Sequence, residues 1–154
     1  MHNTFAKLQG SISAQYTNLW FNVQNMKQVT LIRTATISGA IAVAAGALGA
    51  HGLEGRITTE LLTAFQTGAR YHLVHSVVLL VLALNSGNQY KSGFWLITAG
   101  ILLFSGSLYG LALSSLAGLQ LSILGPLTPA GGLLLIAGWL VTGWRAAQIK
   151  KGGI

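Results

Sequence analysis

Between Lys91 and Arg145 the chain reads SGFWLITAGILLFSGSLYGLALSSLAGLQLSILGPLTPAGGLLLIAGWLVTGW, 53 residues (92–144) without one charged side chain. A helix rises 1.5 Å per residue, so about 20 residues cross a ~30 Å hydrocarbon core. The stretch is therefore long enough for two crossings with a turn between them. That turn is Gly125-Pro126-Leu127-Thr128-Pro129. Thr128 is placed to cap the next helix and Pro129 suits its first position. The third span is expected near residues 94–116 and the fourth near 129–144.

Working upstream, residues 34–50 carry no charge and follow Arg33, whose long side chain can snorkel to the headgroups. This is the first span, continuing toward His51 and Leu53. Residues 71–84 make the second, ended by the turn-rich Asn85-Ser86-Gly87-Asn88. Between these two spans Leu53, Ile57, Leu61 and Phe65 recur every four residues beside Glu60, Gln66 and Arg70. The period predicts an amphipathic helix lying at the interface and running into the second span. The expected fold class is all-α, an integral membrane four-helix bundle.

Composition agrees. Of 154 residues, 52% are hydrophobic and 7% charged, against roughly 25% charged in soluble domains. So few charges hardly cover a soluble surface of this size. High hydropathy excludes disorder, and the absence of Cys excludes a disulfide scaffold. Nine Lys and Arg stand against Glu54 and Glu60, a net charge of +7. The basic residues border apolar runs and do not cluster with aromatics, which argues for headgroup contact and topology signals over nucleic acid.

Four spans put both termini on one side. With the N-terminus inside, that side carries Lys7, Lys27, Arg33, Lys91, Arg145, Lys150 and Lys151, and the other keeps only Arg56 and Arg70. The positive-inside bias predicts cytoplasmic termini. Tyr90, Trp95 and Trp144 fall near the inner headgroup level, where amphipathic rings are favoured. Three segments result: a polar N-terminal stretch 1–30, a four-span domain 31–149, and a basic tail 150–154. In the first, Phe5, Leu8, Ile12, Tyr16, Leu19, Val23 and Met26 recur at three and four, while Gly10, Ser11 and Ser13 weaken a helix. Two readings stand: an amphipathic surface helix, or a poorly ordered tail upstream of Met26-Lys27. A cleaved leader ending at Ala45-Gly46-Ala47 is disfavoured, because its apolar run exceeds the usual 7–15-residue core.

Small residues recur every four positions in two spans: Ser38, Ala42, Gly46 and Ala50 in the first, and Gly106, Gly110, Ser114 and Gly118 in the third. Lipid gives little hydrophobic drive between helices, so such ridges allow close backbone approach. They either seal the monomer or pair two protomers. Internal packing is the expectation.

Titratable chemistry is concentrated in histidines. His51 ends the first span, and His72 and His75 open the second. With Ser105 and Tyr109 of the third span they are expected to form a polar pocket in the outer half of the bilayer. Interfacial hydrogen bonding is the plain reading of these residues, and a metal, haem or proton site the sharper one. No His-Glu-x-x-His motif or phosphate loop is present, and with no Asp in the chain a Ser-His-Asp triad is impossible. No catalytic residue and no metal-ligand set is assigned, and the residues do not single out a cofactor.

Read together, several motifs resemble one family: Ser38-Gly39, Gly46-Ala47-Leu48-Gly49-Ala50-His51-Gly52-Leu53, Phe65-Gln66-Thr67-Gly68 and Tyr71-His72-Leu73-Val74-His75. Leu103-Phe104-Ser105-Gly106-Ser107-Leu108-Tyr109, Thr128-Pro129-Ala130-Gly131-Gly132 and Ala137-Gly138-Trp139 complete the set. The order and spacing resemble the domain of unknown function 423 family, which includes the small YgdD and transmembrane protein 256-like proteins, over residues 31–149. The resemblance implies an uncleaved multi-pass protein of the bacterial inner membrane and supplies no catalytic residue. The long N-terminal segment departs from the family pattern. The expected function is a non-enzymatic membrane module that packs with itself or within a larger complex. A small-solute or proton transporter, and a metal- or haem-binding module on the histidines, are the alternatives. The first span lacks the acidic residue that small multidrug transporters use, which weakens proton-coupled export.

Overall fold

The computed structural model describes residues 2–85, 88–119 and 121–151. The chain forms four long helices: α1 (His2–Ala47), α2 (Thr59–Leu84), α3 (Lys91–Leu116) and α4 (Leu127–Lys151). Among the described residues there is no strand. The segments Asn25–Gly52, Thr59–Leu84, Lys91–Leu116 and Leu127–Gln148 are each long and apolar enough to cross a bilayer. The four expected spans are therefore present, and all reach further than the sequence reading placed them.

In lipid every backbone and side-chain polar group needs an internal partner. The threonines meet this demand locally. Thr34 Oγ1 donates to Thr30 O at 3.0 Å, Thr63 to Thr59 O at 2.8 Å, Thr98 to Phe94 O at 2.9 Å and Thr142 to Gly138 O at 2.8 Å. Each hydroxyl bonds the carbonyl one turn back, so a β-branched residue costs the helix little and exposes no unpaired donor.

α1 ends in a single π-helical turn, Leu48–Gly52, closed by Leu53 N–H to Leu48 O at 3.0 Å. α2 starts at Thr58, whose hydroxyl accepts from Leu61 N–H at 3.4 Å. Since α2 runs unbroken from Thr59 to Leu84, the expected amphipathic segment and the second span are one helix. Leu53 and Phe65 point into the bundle, each 1% exposed, with Ala45, Ala69 and Ala112 around them. α3 ends on Gly118 (φ +68°), with Leu119 N–H returning to Ser114 O at 2.9 Å and Gly118 N–H to Ser115 O at 3.1 Å. This left-handed closure needs glycine, so Gly118 serves as a cap and not as part of a packing ridge. α4 begins at Leu127, two residues before the expected start. The Thr128 hydroxyl, expected as its cap, is paired with Ser107 Oγ at 2.7 Å.

Every substantial helix–helix interface joins sequence neighbours: α1 to α2, α2 to α3 and α3 to α4. The main core combines Leu79, Leu82 and Ala83 of α2 with Phe94, Ile97 and Ile101 of α3, flanked by Ala35 of α1 and Leu135 of α4. The side of α1 facing this core follows Ala35, Ala42 and Gly49 with Ser38 and Ala45 between them, an alternation of three and four. A strict step of four overshoots a turn by about 40° and drifts around the helix. Ser38 and Ala42 of the expected ridge consequently lie in the interface with α2, whereas Gly46 opens on space and Ala50 is exposed.

On α3 the tight seam is also displaced. Gly93 of α3 lies against Gly138 and Thr142 of α4, Gly100 against Leu135, and Gly131 of α4 against Leu103 and Phe104, so the glycines of each helix on this seam are seven residues apart. A Cβ on Gly131 would collide with the Phe104 backbone, and one on Gly100 would stand 2.9 Å from Leu135 N. Gly106 meets nothing, Gly110 abuts only the Leu124 side chain, and Ser114 turns its hydroxyl back to Leu111 O at 3.0 Å.

Of the N-terminal stripe, Tyr16, Leu19 and Met26 are exposed on α1. The side chains of Phe5, Leu8, Ile12 and Val23 lie outside the described residues, as do Ser86 and Gly87 of the second turn and residues 152–154 of the basic tail.

Candidate functional site

α1 and α3 both lean on α2 but leave a trough between them. The trough has a volume of ≈620 Å³, with Thr30, Arg33, Ile37 and Ile41 on one wall and Thr98, Leu102, Gly106 and Tyr109 on the other. Its floor is His72 of α2. His72 is 13 residues from Thr59 and 12 from Leu84, so it sits at mid-span. The histidines were expected in the outer half, on a second span starting at Tyr71. The earlier start of α2 moves them to the centre.

The hydrogen bonds around His72 settle their own direction. Ser76 Oγ donates to His72 O at 2.8 Å, which uses its one proton. The 2.7 Å contact between Ser38 Oγ and Ser76 Oγ must therefore be donated by Ser38. Ser38 is then the acceptor toward His72 Nε2 at 3.0 Å, which places the ring proton there. His72 Nδ1 is left to accept from Tyr109 O–H at 3.3 Å. The result is one oriented chain, Tyr109 to His72 to Ser38 to Ser76, linking α3, α2 and α1 at a common depth. In the neutral ring each nitrogen thus has a hydroxyl of complementary role.

His75 is fixed by a different set. Its Nδ1 lies 2.7 Å from Tyr71 O, an acceptor only, and Trp139 Nε1–H donates to its Nε2 at 3.2 Å. An indole N–H can only donate, so His75 is neutral with its proton on Nδ1. Tyr71 stacks on the ring at 5.9 Å and Trp139 meets it edge-on at 6.2 Å. This latch ties α2 to α4. Ser105 belongs to neither set: its hydroxyl donates to Gly68 O at 2.9 Å, pinning α3 against α2.

The structure thus joins His72 with Tyr109 and Ser38, and separates the other expected members. His51 lies in the π-helical turn at the far end of α1, exposed, away from the other two rings. His72 and His75, three residues apart, diverge toward α1 and α4. Among the described residues no three His, Cys, Asp or Glu groups converge. The single polar pocket of five residues is therefore replaced by two separate latches and one outlying ring. Three participants escaped the sequence reading. Ser38 enters the sequence reading only as a small packing residue, Ser76 carries a signal in its position one turn after His72, and Trp139 carries none for pairing with His75.

On the opposite side of α1 a second trough of ≈470 Å³ runs between α1 and α2. Ala42, Gly46, Ala47 and Ala50 line it from α1, and Gln66, Ala69, Arg70 and Leu73 from α2. Gly46 and Ala50, the outer half of the expected small-residue ridge, open onto this trough.

A family described as "Protein of unknown function (DUF423)" matches residues 45–132. The UPF0382 membrane protein YwdK of Bacillus subtilis is 43% identical over 110 residues, covering 68% of this chain and 85% of the relative. A UPF0382 membrane protein of Staphylococcus epidermidis is 44% identical over 109 residues, covering 68% of this chain and 84% of its own. One from Schizosaccharomyces pombe is 39% identical over 114 residues, with 72% and 96% covered. No solved structure matches the chain. The matched region spans the π-helical turn, all of α2 and α3 and the first turn and a half of α4, and with it both hydrogen-bonded latches except Ser38 and Trp139. A membrane protein with four apolar helices and this degree of identity to the UPF0382 proteins belongs to the DUF423 family.

Proposed function

We propose that this protein is a non-enzymatic membrane module that works by lateral association, in the first instance with a second copy of itself. The observation that carries the reading is the one-sided packing of α1. Over its apolar 18-residue stretch 11% of the residues are buried, against 39% over that of α2, and α2 is its one substantial partner. The α1–α2 trough presents Gly46 and Ala50 outward at a spacing of four, the geometry that lets another helix approach closely. The histidines support this reading by their local employment, since both buried rings hold helices together.

In this reading the protein sits in the bacterial inner membrane, and the seven-to-two charge bias supports cytoplasmic termini. The first turns of α2, with Glu60, lie at the outer headgroup level. Crosslinking and native mass measurement in mild detergent test the association. Gly46→Leu adds a side chain into open space and should leave the monomer folded while abolishing the oligomer. A strictly solitary wild-type monomer refutes the reading.

A second reading has one observation in its favour: His72 and Tyr109 face a trough at mid-span. A path for a small solute or proton along that trough would depend on His72, and flux into liposomes would fall with His72→Ala. Flux equal to that of empty vesicles dismisses it.

A further inference from the structure

Arg33 lines the α1–α3 trough with no carboxylate near it. The chain's two acids, Glu54 and Glu60, follow the far end of α1, roughly 30 Å away along the helix axis. Gln28 Nε2 donates to Ala83 O at 3.4 Å, which aligns Gln28 with the last turn of α2. Arg33 is five residues further on, about 7 Å below that level. Side chains on a helix tilt toward its N-terminus, so the guanidinium reaches back to the headgroups while its stem stays in the trough. The hydroxyls beside it are committed: Thr30 donates to Met26 O at 3.1 Å and Thr34 to Thr30 O at 3.0 Å. Arg33 is thus the cationic donor at this end. Lys27, Lys91 and Arg145 share its side of the membrane, with no acid among them.

The trough has a matching length. Thr30 and Ile41 are 11 residues apart, as are Thr98 and Tyr109, a rise of about 16 Å or half of a ~30 Å core. Below Arg33 the exposed lining is mainly apolar, with Ile37 and Ile41 on α1 and Ile101 and Leu102 on α3, while the hydroxyls of Ser38, Thr98 and Ser105 are each hydrogen-bonded within the bundle. A cation at headgroup height above an apolar slot one leaflet deep fits one class of occupant. We infer that the α1–α3 trough binds an anionic phospholipid, its phosphate on Arg33 and one acyl chain lying between α1 and α3 as far as His72 and Tyr109. A zwitterionic lipid would bring its own ammonium to a surface that has no acid to receive it. A protein helix seated there would cover the guanidinium without bringing it a counter-charge, which is costly.

The test uses the full chain in mild detergent, with native mass spectrometry against phosphatidylglycerol and phosphatidylcholine. Phosphatidylglycerol should be held at least about tenfold more tightly, as expected for a charge-assisted bond in a partly desolvated site. Arg33→Gln should remove that preference, Arg33→Lys should keep most of it, and Arg145→Gln should leave it unchanged. A Cβ on Gly106 meets nothing within 4 Å, so Gly106→Leu should fill the slot and weaken phosphatidylglycerol retention with Arg33 intact. Excess glycerol phosphate should not displace the lipid. Equal retention of the two lipids, equal losses for Arg33→Gln and Arg145→Gln, no effect of Gly106→Leu, or displacement by glycerol phosphate each overturns the inference. Gly46→Leu, which probes association of copies on the other side of α1, should leave lipid retention untouched, so the two ideas stand or fall separately.

Discussion

Adding one methyl group at Gly131 should damage this protein more than adding it at Gly106, although sequence reasoning singles out the second. A Cβ on Gly131 falls inside contact distance of the Phe104 backbone, with Phe104 Cα at 2.7 Å and Leu103 C at 2.8 Å. These are main-chain atoms of a packed helix and have no rotamer with which to withdraw. α3 and α4 must separate by the better part of an ångström, which weakens dispersion along their whole seam. Overpacking of this kind costs ~3 kcal/mol at its upper range, offset by about 1 kcal/mol of helix propensity gained on leaving glycine. The net loss for Gly131→Ala is about 2 kcal/mol, equivalent to a fall of roughly 4–8 °C in a melting temperature for a chain of this size. Gly106→Ala meets nothing and keeps the propensity gain, so its melting temperature should hold or rise slightly. Fluorescence-detected size exclusion after stepwise heating in detergent measures both. If Gly131→Ala melts with the wild type, the close α3–α4 approach described here is wrong.

Other substitutions probe the latches and the topology. Trp139→Phe keeps the ring contact but removes the donor to His75 Nε2, and should cost about 0.6 kcal/mol, the average for interhelical hydrogen bonds in a membrane protein; a stability equal to wild type would show that the bond contributes nothing. Ser38→Ala and Tyr109→Phe break the oriented chain at either side of His72, and a double-mutant cycle should give a coupling of about 0.5 kcal/mol or more between them. Strict additivity would mean the two bonds do not act through the ring. A reporter fused after residue 151 should be active only as a cytoplasmic reporter, since seven basic residues are expected on that side.

The number and order of helices were legible because hydropathy over 18 or more residues is a coarse signal that tertiary packing does not alter. The charge-free run from 92 to 144 required two crossings, and α3 and α4 occupy it. Rotation about each helix axis was not legible. A four-residue ridge and a seven-residue ridge use overlapping sets of small residues, and only the neighbour decides which face is inside. Gly131 and Gly138 looked no different from Gly106 and Gly110 until α3 and α4 were set side by side. Depth failed for a related reason. From the sequence the second span opens at Tyr71, after the polar Gln66 and Arg70, yet in α2 both face the α1–α2 trough within one unbroken helix. The polar residues themselves were visible, and their partners were not, since Trp139 reaches His75 from 64 residues away.

The neighbour-to-neighbour order of the helices bears on how the chain comes to its final form. Contacts that are mostly short in sequence separation favour fast folding. As the polypeptide is threaded into the bilayer, α2 can close on α1 and α3 on α2 as each emerges, without waiting for a distant segment. The bond from Trp139 to His75 then forms only when α4 has arrived, so it marks the completed product and distinguishes it from a three-helix intermediate.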